Sequence, residues 1–313
     1  MTWDEHRRRA GRAVWLVAAF AFFGLKPALA GDPSGAALLA GPPPAIVAWG
    51  DGVTRWPLDG SPQSRFLQDR RFTSGCASQD GTLYLVESGQ LSSYRPPYKS
   101  GILLEKDTDF QDCLPWSMDG HPGVLIPHRH LQLRFYREGA PPVDLYSIYT
   151  PSKQGGLLEA DIDRDGRPDL LWGNYWLRRP NQPGAHWRLF AINTFFEQPE
   201  SALARIAWDG PDSLYWGAAA GTPRLVRLTP GPDRTQLWRI EQLKDAPPGI
   251  KALVITEDGL AVAHSAGVDL YSQRGGAFVK TLLDSKPATA LFRLGREVWS
   301  VFDDGPRRVY RLR

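Results

Sequence analysis

Asp161, Asp163, Asp165 and Asp169 fall within nine residues, in the run DIDRDGRPDL. Alternating aspartates followed by a glycine read as a tight loop that aims its carboxylates at one centre, with Gly166 supplying the backbone freedom for the bend. Such a loop offers side-chain oxygens from the four aspartates and a main-chain oxygen from Arg167, leaving water to complete a shell. A flexible, oxygen-only donor set selects Ca2+ over Zn2+ or copper. Clustered carboxylates also repel one another unless a cation sits among them. The competing reading is a solvated acidic turn without metal. An EF-hand fails, because Trp172 stands where the twelfth loop position needs a glutamate, and LLWGNYW reads as strand where a helix is required.

A second chemistry lies just downstream. Trp172, Asn174, Tyr175 and Trp176, followed by His186 and Trp187, form the densest aromatic cluster of the chain, next to Arg178 and Arg179. Aromatic faces beside arginine, asparagine and histidine suit stacking on a sugar ring or an aromatic ligand; the same tryptophans equally suit filling the space between packed sheets. The loop Pro180–Ala185 reads as a rim insertion beside them. His128 and His130, with His121 nearby, lack a third metal ligand and read as exposed strand or loop histidines. Cys76 and Cys113 each precede an Asp-Gly turn on what should be inner strands of neighbouring units. They either form a disulfide or remain buried free thiols, since inner strands of neighbouring blades diverge. No G-x-S-x-G elbow, H-E-x-x-H pair or G-x-x-x-x-G-K-[ST] phosphate loop occurs in the chain.

These residues need a scaffold, and the chain advertises one. Seven units recur, starting at Ala45, Thr82, Gly123, Asp169, Ser213, Gly259 and Glu297, so the offsets are 37, 41, 46, 44, 46 and 38 residues. In each, a short β-branched or aromatic run ends in a Gly or polar turn and a second strand follows. Further strands precede several units, as in ALARIAW, KALVITE and TALFRL. A mean spacing near 42 is that of β-propeller blades. The 31 glycines and 27 prolines among 313 residues also leave little room for a helical bundle. The expected fold is therefore all-β: one seven-bladed β-propeller over residues 44–313. The short lead-in, 31–43, contains GAALL (Gly35–Leu39), which is expected to complete the last blade and close the ring.

The acidic loop, standing directly before the apolar strand DLLWG, resembles the calcium loop of FG-GAP/VCBS repeats, the blades of integrin-alpha-type β-propellers. The resemblance implies a seven-bladed propeller, a structural Ca2+ on Asp161, Asp163, Asp165 and Asp169, and an extracytoplasmic adhesion or ligand-binding role. The full motif covers one blade of seven. Elsewhere the turn is reduced to SQDGT, SMDGHPG, WDGPDS and TEDGL, and WGN stands in place of the family's Phe-Gly. One metal ion is therefore expected.

Residues 1–30 read as a secretory signal peptide: Arg7, Arg8, Arg9 and Arg12, then an uncharged apolar run, then the small-x-small site ALA at Ala28–Ala30. An uncleaved anchor is the alternative. The segment carries the chain's entire net charge of +3, so the remainder is formally neutral and has no basic run. That composition argues against nucleic-acid binding, and no later stretch is long and apolar enough for a transmembrane helix. The sequence thus predicts an exported, periplasmic or secreted, calcium-binding propeller that binds a protein or carbohydrate ligand without catalysis. The alternative is a polysaccharide lyase or glycoside hydrolase on the same scaffold, with Tyr175, His186 and the nearby arginines as its candidate groups.

Overall fold

The computed structural model describes residues 33–106, 112–128, 130–148, 154–182, 184–195 and 204–312; residues 1–30, read from the sequence as a signal peptide, lie outside them. Seven antiparallel sheets follow one another along the chain, each built from consecutive strands. The first holds β1 (Gly35–Leu39), β2 (Ala45–Pro57) and β3 (Ser64–Arg71); the second holds β4 (Ser74–Ala77), β5 (Leu83–Glu87), β6 (Gln90–Tyr94) and β7 (Gly101–Glu105). The third comprises β8 (Leu114–Met118), β9 (His121–His128), β10 (Gln132–Tyr136) and β11 (Val143–Ser147). The fourth comprises β12 (Leu157–Ala160), β13 (Asp169–Trp172), β14 (Tyr175–Arg178) and β15 (Arg188–Ala191). The fifth runs from β16 (Ala204–Trp208) through β17 (Leu214–Ala218) and β18 (Leu225–Thr229) to β19 (Arg239–Gln242). The sixth runs from β20 (Ile250–Thr256) through β21 (Gly259–His264) and β22 (Gly267–Arg274) to β23 (Ala277–Asp284). The seventh ends the chain with β24 (Ala290–Leu294), β25 (Glu297–Phe302) and β26 (Gly305–Arg311). The sheets are the blades of a seven-bladed β-propeller.

Each repeat seen in the sequence starts at or next to the second strand of a blade, and ALARIAW, KALVITE and TALFRL contain the inner strands β16, β20 and β24. Second strands carry continuous buried apolar runs, such as AIVAW, VLI and LLW, because both faces of a blade are covered. In β13, Leu170 and Trp172 point toward the third blade and Leu171 toward the fifth, the period-two alternation of a strand spent on two cores rather than one. The hydrophobic interior is accordingly seven separate clusters, one at each junction between neighbouring blades.

Ring closure departs from the sequence expectation. GAALL does not complete the last blade. It forms β1, the inner strand of the first blade, in register with β2 from Gly35↔Trp49 to Leu39↔Ala45. The propeller therefore starts inside what read as a lead-in, and its first and last blades have three strands each. The junction between them is closed by side chains: Ile46 and Ala48 pack against Ala290 and Val301, flanked by Trp56, Phe292 and Trp299. A hydrogen bond from Thr289 Oγ1 to the Pro33 carbonyl, at 3.4 Å, crosses beside them.

Two devices tie the inner wall between the second, third and fourth blades. Cys76 of β4 and Cys113, immediately before β8, form a disulfide with Cα atoms 6.0 Å apart, within the reach of that bond. Asp112 accepts hydrogen bonds from the Gly156 and Leu157 amides at the start of β12, at 2.8 and 3.0 Å. The inner strands enclose a central channel of about 620 Å³ whose wall includes Leu38, Val254, Ile255, Phe292 and the disulfide.

Candidate functional site

In an antiparallel blade the connections after the first and third strands open on the same face of the ring. The acidic loop, residues 161–168, is the first such connection of the fourth blade, and residues 179–187 form the second. Ile162 is fully buried among Leu171, Trp176 and Trp216 and pins the middle of the acidic loop to the blade. Arg164 and Gly166 take left-handed φ values of 62° and 82°, which bend the chain back on itself; glycine adopts this region without strain.

The bend gathers Asp161, Asp163 and Asp165, with one oxygen of each lying within 4.8 Å of the others. The loop's own amides cradle all three: the Asp165 amide donates to Asp161 Oδ1 at 3.1 Å and to Asp163 Oδ1 at 3.3 Å, and the Gly166 amide to Asp161 Oδ2 at 3.1 Å. The Arg167 amide caps Asp165 at 2.9 Å. Two guanidinium groups supply positive charge, Arg178 Nε at 2.7 Å from Asp163 Oδ2 and Arg167 Nη2 at 2.7 Å from Asp165 Oδ2. The Arg167 hydrogen bond holds the Asp165 carboxyl below its ordinary range. Asp163 Oδ2 is buried, and its ionic contact with Arg178 lacks hydrogen-bond geometry.

Asp169 stands apart from this trio. Its side chain is buried at the start of β13, where Oδ1 accepts the Arg179 amide at 2.7 Å and Oδ2 the Trp176 indole N–H at 2.9 Å. Burial pushes its pKa up to about 6, against the pull of those two donors and with the neighbouring Asp163 charge adding to the rise. The folded state therefore binds this proton more tightly than the unfolded chain, and the associated stability is present below about pH 4 and lost as pH rises through about 6. In chelator, the stability of the wild type relative to Asp169→Asn is expected to decline across that window. Parallel melting curves for the two proteins from pH 4 to 6 would contradict it.

The aromatic cluster divides. Trp172, Asn174 and Trp176 are fully buried and face the blade junctions, not a ligand; Trp172 donates to the Gln154 carbonyl at 3.2 Å and Asn174 Nδ2 to the Phe195 carbonyl at 2.5 Å. Tyr175 packs half-buried on the core between the third and fourth blades. His186 is exposed, and Trp187 is half-buried against the same core. They line a cavity of about 560 Å³ between these two blades, with Trp116, Leu145, Asp119 and Asp144 on the third-blade side. Trp116 and Trp187 meet edge to face at 6.1 Å, and Trp116 donates to Glu159 across the junction at 3.0 Å. Asp144 is held by Arg134 at 2.7 Å. Trp116 had no local signal in the sequence, since it reaches the site from 71 residues upstream of Trp187. The groups of the catalytic alternative are separated, because Tyr175 is absent from the wall that carries His186.

Arg167 links the acidic loop to the lip of this cavity. Its Nη1 donates to the Pro180 carbonyl at 2.9 Å and its Nη2 to Asn181 Oδ1 while retaining Asp165. Of the three histidines set aside in the sequence, His128 is buried and not exposed, with Nε2 3.0 Å from the Tyr136 hydroxyl; His121 is exposed.

With the fold and site in place, comparison with known proteins is informative about architecture. No family model matches the chain, and no curated protein matches it. Solved structures do. Virginiamycin B lyase from Staphylococcus aureus superposes with a TM-score of 0.61 at 11% identity, covering 88% of this chain and 93% of that one. The WD40 β-propeller domain of Doa1 gives 0.59 at 10% identity, over 92% and 96%. The chain is a seven-bladed β-propeller. YCF48 from Cyanidioschyzon merolae gives 0.51 at 15% identity, over 84% and 89%. Identities this low speak to the fold and leave the site to its own chemistry.

Proposed function

We propose that this propeller is an exported, non-catalytic binding module of FG-GAP/VCBS type that receives a protein or carbohydrate ligand in the cavity between its third and fourth blades. Ca2+ in the acidic loop would stiffen the lip of that cavity. The observation that carries the reading is Arg167, whose single guanidinium holds both the loop's Asp165 and the cavity's Asn181 and Pro180 carbonyl. The donor set fits a hard cation: three clustered carboxylates, one of them with a buried oxygen lacking a hydrogen bond. Asp161, Asp163, Asp165 and the Arg167 carbonyl would hold the ion, and Asp169 would join them by sharing oxygens now given to Trp176 and Arg179. The ion's contribution is charge neutralisation and rigidity; no reaction is assigned to it.

A thermal melt with and without Ca2+ tests this, because a ligand that binds only the native state stabilises it by about 2.7 kcal/mol at a hundredfold excess over its dissociation constant. Asp163→Ala is expected to abolish the Ca2+-dependent shift. A wild-type melting temperature indifferent to Ca2+ and chelator would remove the metal from the proposal, and Arg167 with Arg178 would then be the loop's only counter-charges among the described residues.

A further inference from the structure

The rim cavity adjoins a smaller recess of about 280 Å³ on the fourth blade, and the two share Arg179, Pro180, Asn181, Gln182, Ala185 and His186. The recess is lined by Arg178, Arg179 and Arg188 together with His186, and no carboxylate residue is part of its wall. Arg178 and Arg188 are direct cross-strand partners at the ends of β14 and β15. Like charges placed directly opposite each other destabilise a sheet. Arg178 finds partial relief in Asp163, at 2.7 Å. Among the described residues, Arg179 and Arg188 have no side-chain ion pair. A sheet end that concentrates three guanidinium groups and pairs one of them is built to face negative charge from outside.

The adjoining cavity defines what bears that charge. Beside the recess lie the Trp116–Trp187 pair and Leu145, an apolar surface suited to the face of a ring. The same wall carries Asp144, whose carboxylate is held by Gln132 and Arg134, and Asp119, which is exposed and can accept a hydrogen bond from a hydroxyl group. The surface therefore combines an oxyanion pocket, an aromatic wall and a hydroxyl acceptor. From this combination we infer that the recess is the anion subsite of an acidic-saccharide site: the guanidinium groups of Arg179 and Arg188 take the carboxylate or sulfate of a sugar whose ring rests on Trp187. Guanidinium forks match both oxyanions bidentately. An acidic peptide has no ring to set on the Trp116–Trp187 pair and would bring its repeated charge to Asp119, which disfavours it.

This inference rests on the rim cavity being the binding site and adds the ligand class. Titration calorimetry of the full chain against four probes tests it: a uronic-acid tetrasaccharide, a sulfated tetrasaccharide, a neutral tetrasaccharide and a polyglutamate peptide. One or both acidic saccharides are expected to bind at least tenfold tighter than the neutral one, the stronger of the two identifying the oxyanion. Arg188→Gln and Arg179→Gln should each weaken that binding about tenfold, with loss of affinity at high salt. Arg188→Gln should also raise the melting temperature of the free protein, because it removes the cross-strand repulsion; a merely structural arginine would lower it. Equal affinity for acidic and neutral saccharides, both lost in Trp187→Ala, would overturn the anion subsite and leave the binding cavity standing. Preference for polyglutamate would overturn the saccharide assignment, and no binding of any probe would overturn this inference while the Ca2+ melt still judged the earlier one.

Discussion

Replacing Cys76 and Cys113 together by alanine is expected to lower the free energy of unfolding by about 4 kcal/mol, or roughly 7 °C in melting temperature for a domain of this size. The bridge closes a 37-residue separation, and the loss follows from the conformational freedom that a loop of that length regains in the unfolded chain. The location adds to the consequence. The bond joins the inner wall of the second blade to the entry of the third, one residue from Asp112, which in turn holds the entry of the fourth. Three blades are thus registered at one point of the channel wall. Denaturant unfolding of the oxidised, reduced and doubly substituted proteins checks this. A midpoint shared by all three would show that the ring gains nothing from the bond.

Trp176→Ala should cost as much or more. The side chain is fully buried between the fourth and fifth blades, its ring centroid 5.1 Å from that of Phe190, and its indole N–H donates to Asp169. Truncating a large buried aromatic costs about 3–5 kcal/mol through lost burial and the cavity left behind. Here the change also leaves a buried carboxylate oxygen without its donor, a further penalty of about 1–3 kcal/mol. Trp176→Phe separates the two effects, since it keeps most of the packing and removes the hydrogen bond. If Trp176 were a ligand platform, Trp176→Ala would abolish binding with stability intact; the buried position predicts a destabilised fold, and equal melting temperatures would refute it.

The scaffold was legible because its grammar is local. Apolar runs such as LYLVE and GLAVAH, each entered through an Asp-Gly or equivalent turn, mark second strands at a period that only stacked sheets explain. The acidic loop was legible for the same reason, although the structure groups three of its aspartates and turns Asp169 into the blade. Ring closure was not legible. GAALL is a short apolar strand that pairs equally well with either neighbour, and nothing within it records whether its partner lies 10 residues or 260 residues away. The aromatic cluster was ambiguous for a different reason. A strand covered on both faces carries no polar alternation, so WGNYW offered no sign of which ring met water; of the cluster only His186, beyond the loop that starts at Pro180, is exposed, while Tyr175 and Trp187 are half-buried. Trp116 was silent because the site is a junction between blades, and residues on opposite sides of a junction share no sequence neighbourhood.

That each sheet is made wholly of consecutive strands has a consequence for how the molecule comes to exist. As the chain leaves the ribosome, a blade can pair its strands as soon as its own 40 or so residues have emerged, and it can lean on the blade before it without waiting. The first blade alone must wait. Its face bearing Ile46 and Ala48 finds Ala290 and Val301 only after the rest of the ring has been made, so for most of synthesis the nascent protein carries an apolar flank that its final three strands are needed to cover.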